Sequence, residues 1–163
     1  MQTCPGCKLE SPSLNGPVHR YMESSPACWA TYGKILAREY SSPDYMAVHR
    51  LTVDAYAVQH PGRPSRQSVQ SVAVHLISLF MVLERKLSHQ EATAVIGRSV
   101  EELDFTWLEP PPNKGELTVE NVIQAKTAEQ HCYLVEQWAG EVWTAWSPHR
   151  AQVERWIACL DAS

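Results

Sequence analysis

The sequence predicts an all-α protein, a bundle of about six to seven helices preceded by an irregular N-terminal arm. Three observations support this fold class. Capping residues recur along the chain at helix-length intervals, several of them followed by proline or by a glutamate three residues on. Between the caps, apolar residues repeat every three or four positions. No segment alternates apolar and polar residues in the way that a half-buried β-strand would.

Residues 1–25 form the predicted arm and residues 26–163 the predicted bundle. The arm contains three prolines and two glycines and shows little periodicity. With 163 residues, 44% of them hydrophobic, the chain is long and apolar enough to bury one core. We therefore expect the chain to fold as a single domain, residues 1–163.

Each predicted helix begins at a cap. Ser25-Pro26 and Ser42-Pro43 place a proline at the first helical position, and Pro61-Gly62 must end the second helix. The caps are Ser25, Ser42, Ser65, Ser88, Thr118, Thr127 and Ser147. The helices that they open are expected to end near Tyr40, His60, Arg85, Arg98, Ala125, Trp146 and Leu160.

Composition and charge exclude several classes of protein. The net charge is −4 and no run of lysine or arginine occurs, so the sequence predicts no nucleic-acid partner. The longest apolar run, 72–83, is interrupted by His75 and Ser78, and we expect no membrane association. The first residues do not resemble a secretory signal. Five cysteines without such a signal favour metal or redox use in the cytoplasm over a disulfide framework.

The most informative stretch is Cys4-Pro5-Gly6-Cys7, which is typical of a zinc knuckle. Two thiolates on one tight turn supply half of a tetrahedral shell. The next cysteine, Cys28, is expected in the first turn of the first helix, where the helix dipole favours a thiolate. Thiolate-rich ligation in a lone mononuclear site favours Zn²⁺ over iron.

Helix rise identifies His60 as the fourth ligand. A short turn at Ser42 should return the second helix antiparallel to the first, and at ~1.5 Å per residue this helix regains the level of Cys28 near its end. His60 lies there, whereas His49 lies roughly 16 Å away along the same helix. His19, in the arm, is the main alternative because a loop residue is not constrained by helix geometry.

Each of these residues also has a purely structural interpretation. Cys4 and Cys7 would then be an idle or redox-active pair. Cys28 would be a small buried apolar residue, and His60 a helix C-cap that meets the last carbonyl groups.

A second polar cluster is predicted farther from the arm. His75, on the third helix, should lie level with Arg50 or His49 on the second, and Asp54 is placed to orient either histidine ring or to pair with Arg50. His49, Asp54 and His75 would then be candidate catalytic residues that bind a metal or serve as acid and base. The alternative is a buried hydrogen-bond network that fixes helix register.

Three stretches together resemble a bacterial family of small proteins of unknown function. They are CPGC at 4–7, HRLTVDAYAVQHPG at 49–62 and WTAWSPH at 143–149, and the shorter stretches GPVHRY at 16–21, CW at 28–29 and QSVQSVAVHL at 67–76 also resemble it. The resemblance covers nearly the whole chain. It implies a bacterial source and a site around His49, Asp54, Gln59, His60 and His75, but no activity. The bundle is also similar, at fold level only, to DinB-type metal-dependent proteins, whose terminal H-x-x-x-H pair is absent here.

Three functions follow as expectations. In the first, Zn²⁺ has a mainly structural role, and the bundle binds an unknown protein or small molecule. In the second, the chain is a metal-dependent hydrolase or transferase with a pocket at His49, Asp54 and His75. In the third, Cys4, Cys7 and Cys28 form a thiol-based redox or metal sensor.

Overall fold

Eight α-helices follow an N-terminal arm in the computed structural model, which describes residues 1–163. The prediction of an all-α bundle is confirmed. A π-helical turn, Phe80–Glu84, continues α4, and a 3₁₀ turn, Ser147–His149, precedes α8. The helices are α1 (Pro26–Ser41), α2 (Pro43–Met46), α3 (His49–Gln59), α4 (Arg66–Leu79), α5 (His89–Glu102), α6 (Val119–Ile123), α7 (Ala128–Ala145) and α8 (Arg150–Asp161).

The helix count exceeds the prediction because the predicted second helix is two helices. The chain turns at Ala47 and Val48, and the φ and ψ of Val48 are −109° and 7°, outside the helical range. The Val48 side chain is buried at this turn. The predicted second helix is therefore divided into α2, which begins at Pro43, and α3, which begins directly after the buried Val48.

The predicted caps form as expected at most helix starts. Ser88 and Glu91 close a complete capping box at α5, and Ser65 accepts a hydrogen bond from the Ser68 N–H at α4. At α7 the Thr127 hydroxyl accepts the Gln130 N–H, and the Gln130 side chain accepts the N–H of Lys126, so α7 has a side-chain cap but no complete capping box. Local side-chain chemistry therefore fixes where the helices start.

The arm is more regular than predicted. Two strands, β1 (Gln2–Thr3) and β2 (Glu10–Ser11), pair antiparallel, with Gln2 opposite Ser11. Two-residue strands are too short to produce an alternating pattern, so the sequence did not reveal them. The hairpin loop between them carries Cys4 and Cys7.

A connected set of 29 buried residues forms the core and includes Cys4 and Cys28 together with Trp138 and Trp146. Both indole N–H groups are satisfied. Trp138 donates to the Gln59 side chain at 3.0 Å, and Trp146 donates to the Val58 carbonyl at 2.9 Å. Trp138 and Trp146 are therefore core residues whose polar N–H groups have internal acceptors.

One segment, Arg66–Glu84, is long and apolar enough to cross a membrane by length and composition. It has 19 residues because the π-helical turn continues α4, so it is longer than the apolar run read from the sequence. Within the structure 56% of its most apolar window is buried, and Leu76 and Leu79 belong to the core.

Candidate metal centre

The hairpin loop presents two sulfur atoms toward the start of α1. Hydrogen bonds from the Cys4 N–H to the Leu9 carbonyl (2.8 Å) and from the Lys8 N–H to the Cys4 carbonyl (2.9 Å) close the loop. Lys8 adopts a left-handed conformation with φ 65°. The Cys4 side chain is fully buried, and its Sγ accepts the Ser25 N–H at 3.4 Å. A backbone N–H on a sulfur is a common feature of thiolate metal sites.

Cys28 lies in the first turn of α1, where the Ser25 hydroxyl accepts its N–H at 3.2 Å. Its Sγ is fully buried and lies 3.8 Å from Cys7 Sγ and 3.4 Å from His60 Nε2. The Tyr56 hydroxyl lies 3.7 Å from the same sulfur. The N-cap therefore determines where this third thiol lies, as the Ser25-Pro26 start predicted.

His60 follows the last residue of α3 and is fully buried. Its Nδ1 donates to the Tyr56 carbonyl at 2.8 Å, which makes Nε2 the ring nitrogen with a free lone pair. The imidazole also stacks on the Tyr56 ring at 4.0 Å. A backbone acceptor that fixes the tautomer in this way is typical of metal-binding histidines.

Two glycines allow the arm to approach this end of α3. A Cβ at Gly6 would lie 2.3 Å from His60 Cδ2 and 2.7 Å from the Glu23 carbonyl oxygen. Gly62 has φ +73°, and a Cβ there would lie 2.1 Å from the Tyr21 carbonyl oxygen. No side chain fits at either position, so both glycines are needed for the contact between arm and bundle.

Four side chains converge at this contact. Their ligand atoms, the three Sγ atoms and one imidazole nitrogen, all lie within 4.8 Å of one another. The group consists of Cys4, Cys7, Cys28 and His60, the four residues that the sequence analysis selected. Such a buried Cys₃His cluster has the donor set and the compactness to bind a metal ion.

His19, the alternative ligand, has a different role. Its Nδ1 accepts the N–H groups of Tyr21 at 3.2 Å and Met22 at 3.1 Å, and its ring packs edge-on against Trp29. The nitrogen that faces the chain is thus occupied by two backbone donors. His19 orders the segment that leads into α1 and is not part of the four-residue group.

The three thiols influence one another strongly. Hydrogen bonds with Cys28 and Cys7 place the pKa of Cys4 far below its ordinary value. The hydrogen bond with Cys28 lowers the pKa of Cys7, but the hydrogen bond to Cys4 and burial outweigh it and raise this pKa to about 12. Hydrogen bonds to Cys4 and Cys7, followed by burial, raise the pKa of Cys28. Without a cation the cluster therefore carries one thiolate and two thiols.

The second predicted cluster is divided into two networks. Asp54 is fully buried and accepts hydrogen bonds from His75 Nδ1 at 2.8 Å, Ser78 Oγ at 2.5 Å and Arg50 Nε at 3.1 Å. The predicted proximity of Asp54 to His75 and Arg50 is therefore present. His49 is directed elsewhere: its Nδ1 donates to Glu39 Oε2 at 2.7 Å.

The potential metal-binding group in the structure is the Cys₃His group, and His49, Asp54 and His75 are not members of it, so their catalytic role stays a prediction. The Glu39 carboxylate on α1 holds the His49 ring through its contact with Nδ1, whereas Asp54 holds the His75 ring.

Sequence reasoning missed Glu39. This carboxylate is fully buried and accepts hydrogen bonds from His49, from the hydroxyl of Thr52 and from His131 Nε2 at 2.9 Å. The signal was present in α1, because the buried residues Cys28, Tyr32, Ile35 and Glu39 follow helical spacing. A glutamate in the apolar stripe of a helix indicates buried partners.

The fold and the cluster define a small helical protein with a buried Cys₃His group between an N-terminal hairpin and the bundle. The chain belongs to DUF5946, a family of unknown function, whose sequence profile matches residues 2–147. This match confirms the resemblance to a family of uncharacterised proteins and includes all the helices from α1 to α7. Neither the curated proteins nor the solved structures contain a match to this chain.

Proposed function

We propose that this chain is a zinc-binding helical protein in which one Zn²⁺ fastens the N-terminal arm to the bundle, and that the bundle binds a ligand or partner. The observation that carries the proposal is the convergence of three sulfurs and one imidazole nitrogen within 4.8 Å in a buried position. Three thiolates and a neutral imidazole around Zn²⁺ leave one net negative charge, which the Ser25 N–H and the α1 N-terminus stabilise.

A structural role for the ion is supported by how the cluster is enclosed. Four protein ligands complete a tetrahedral shell, whereas catalytic zinc sites keep one position open for water or substrate. Cys4, Cys28 and His60 are each 0% exposed, and only Cys7 is partly accessible. All five cysteines are free, which suits the reducing cytoplasm.

The arm also depends on this junction more than on its own packing. The hairpin has two short strands, and a two-stranded hairpin is at best marginally stable in water. Its sulfurs lie on the start of α1 and on His60 at the end of α3. A metal ion there would order residues 1–25 and cover the ends of two helices.

Metal analysis of freshly purified protein by mass spectrometry tests the proposal. We expect one zinc per chain, and we expect Cys28→Ser and His60→Ala to lose most of it. Cys159→Ser is the matched control, because Cys159 is exposed on α8 and far from the cluster in sequence. Protein without stoichiometric metal, or a Cys28→Ser variant as fully loaded as the control, would contradict the proposal.

The structural role is tested separately by treating the wild-type protein with a chelator. We expect the helical circular dichroism signal to persist in large part while proteolysis within residues 1–25 accelerates. This measurement uses the unmodified chain, so it tests the structural role of the metal even if Cys28→Ser misfolds. Metal removal that leaves the arm fully protected would exclude a structural function.

A further inference from the structure

A pocket of about 790 Å³ lies at the opposite end of α3 from the Cys₃His group. His49, Arg50 and His89 supply nitrogen groups to its wall, and Pro43 and Met46 supply apolar surface. No aspartate or glutamate lines it, although the chain as a whole is acidic. A concave surface with a few convergent polar groups beside apolar ones is the usual form of a small-molecule site.

Arg50 is held rigidly with one end free. Its Nε and Nη2 lie 3.1 and 2.9 Å from Asp54 Oδ1, and no protein group bonds to Nη1. Asp54 is itself fixed, because His75 and Ser78 donate to its two oxygens. The guanidinium is therefore oriented before any ligand arrives, and its free N–H groups suit an oxyanion.

His49 presents the opposite hydrogen-bonding character to the same pocket. The Glu39 carboxylate accepts only, so the 2.7 Å contact places the proton of a neutral His49 ring on Nδ1. Nε2 is then an acceptor, and its one hydrogen-bond partner is the exposed Tyr40 hydroxyl, which donates to it over a long 3.5 Å. A ligand that meets both Arg50 and His49 needs a negatively charged oxygen and a hydroxyl.

His89, at the start of α5, completes the polar wall. Its ring is partly buried and makes no hydrogen bond within the protein. Burial lowers the pKa of this imidazole, so the ring is neutral at pH 7 and has one N–H available as a donor.

We propose that this pocket binds a small organic phosphate monoester. One anionic phosphate oxygen accepts from Arg50 Nη1, a second accepts from the His89 ring N–H, and the P–OH of the singly protonated group donates to His49 Nε2. A phosphate group alone fills a small part of about 790 Å³, and the organic part lies against Pro43 and Met46. This site is independent of the metal centre, roughly 16 Å away along α3.

Calorimetric titration at about pH 6, near the second pKa of a phosphate monoester, tests the proposal on the purified, metal-loaded full-length chain with phenyl phosphate, inorganic phosphate and sulfate as probes. We expect phenyl phosphate to bind at least about tenfold more tightly than inorganic phosphate, since only the ester reaches the apolar wall. Sulfate has no proton at neutral pH to donate to His49 and is expected to bind about tenfold more weakly than inorganic phosphate.

Two variants and a control assign the binding to this pocket. Arg50→Lys, which loses the forked geometry, and His89→Ala are each expected to weaken phenyl phosphate binding about tenfold. Arg155→Gln, exposed on α8, is the control. If Arg50→Lys misfolds, His89→Ala still tests whether phenyl phosphate binds in this pocket, because the His89 ring makes no hydrogen bond within the protein that the substitution would remove. Absence of binding at millimolar phenyl phosphate, unchanged affinity in His89→Ala, or equal affinity for sulfate and phosphate overturns the proposal.

Discussion

Cys28 Sγ lies 3.4 Å from His60 Nε2, although 32 positions separate the two residues in the chain. Ser25 places Cys28 in the first turn of α1, and α3 ends at Gln59, directly before His60. Because α1 and α3 run antiparallel, the beginning of one helix meets the end of the other. The bundle thus provides half of the cluster, and the arm needs to bring only two more sulfurs to it.

The first prediction concerns the close contact between Gly6 and His60. A Cβ at Gly6 would lie 2.3 Å from the imidazole, so Gly6→Ala must displace either the ring or the hairpin loop. We expect zinc affinity, measured by competition with a chelator, to fall about tenfold or more. The thermal midpoint of the metal-loaded protein should fall as well.

Gly33→Ala is the control for this substitution. A Cβ at Gly33 meets nothing within 4 Å, and the residue lies inside α1, so alanine should stabilise the protein by about 0.5–1 kcal/mol. A Gly6→Ala variant that matches the zinc affinity of this control would show that the arm approaches α3 in another way.

Zinc binding should release protons, and the thiol pKa directions set their number. Cys4 is a thiolate in the metal-free cluster, whereas the raised pKa values keep Cys7 and Cys28 protonated at pH 7. The metal needs three thiolates, so we expect about two protons to be released per zinc. Raising the pH therefore strengthens binding, and acidification weakens it.

Calorimetric titration of zinc in buffers with different ionisation enthalpies measures this proton release. Zinc binding that is independent of pH between 6 and 8, roughly the range where free thiols begin to titrate, would contradict thiolate ligation.

The sequence alone predicted that His60 lies beside Cys28, because that inference used only helix rise and a short turn. Both are properties of the backbone, so the inference still holds when a predicted helix boundary is wrong by a few residues. The break at Ala47 and Val48, which divides the predicted second helix, leaves the relative levels of its end and of α1 almost unchanged. The same reasoning placed His75 level with His49 or Arg50, with Asp54 near enough to orient a histidine ring, and Asp54 Oδ1 does accept from His75 Nδ1 at 2.8 Å.

The direction of the His49 side chain could not be obtained in this way. Helix rise gives the level of a residue but not which of two neighbouring helices its ring faces, and a charge on α1 decides this. Glu39 lies among the apolar residues of α1, and its partners Thr52 and His131 come from two other helices. The network depends on three helices at once, so spacing within one helix cannot reveal it.

Glu39 provides the third prediction. Glu39→Leu leaves His131 Nε2 buried without its acceptor and leaves the Thr52 hydroxyl with only the more distant Val48 carbonyl, at 3.4 Å. Because an unsatisfied buried donor costs roughly 1–3 kcal/mol, we expect the free energy of unfolding to fall by about 3 kcal/mol. Urea unfolding of the metal-loaded protein measures the change.

The matched control is Glu101→Leu, since Glu101 is exposed on α5 and makes no ion pair or side-chain hydrogen bond. Its effect should stay within about 0.5 kcal/mol of zero. Equal stability of the two variants would mean that the buried carboxylate contributes nothing to the fold.

The last prediction concerns Gln59, which lies in the stretch 49–62, and the role of its side chain. It is fully buried, accepts the Trp138 indole N–H at 3.0 Å and donates to the carbonyl groups of Leu117 at 2.9 Å and Lys114 at 3.3 Å. All its polar atoms are used inside the protein, so Gln59 fastens the proline-rich loop before α6 to the core and has no free group for a ligand.

Gln59→Leu should therefore destabilise the protein by about 2 kcal/mol and leave zinc content unchanged. Hydrogen exchange distinguishes this role from general loss of packing: amides in residues 113–118 should exchange faster, while those of α4 keep their protection. Gln137→Leu, at an exposed position of α7, is the control. Uniformly faster exchange throughout the bundle would mean that Gln59 supports the core as a whole, because a specific anchor would release only the loop that it holds.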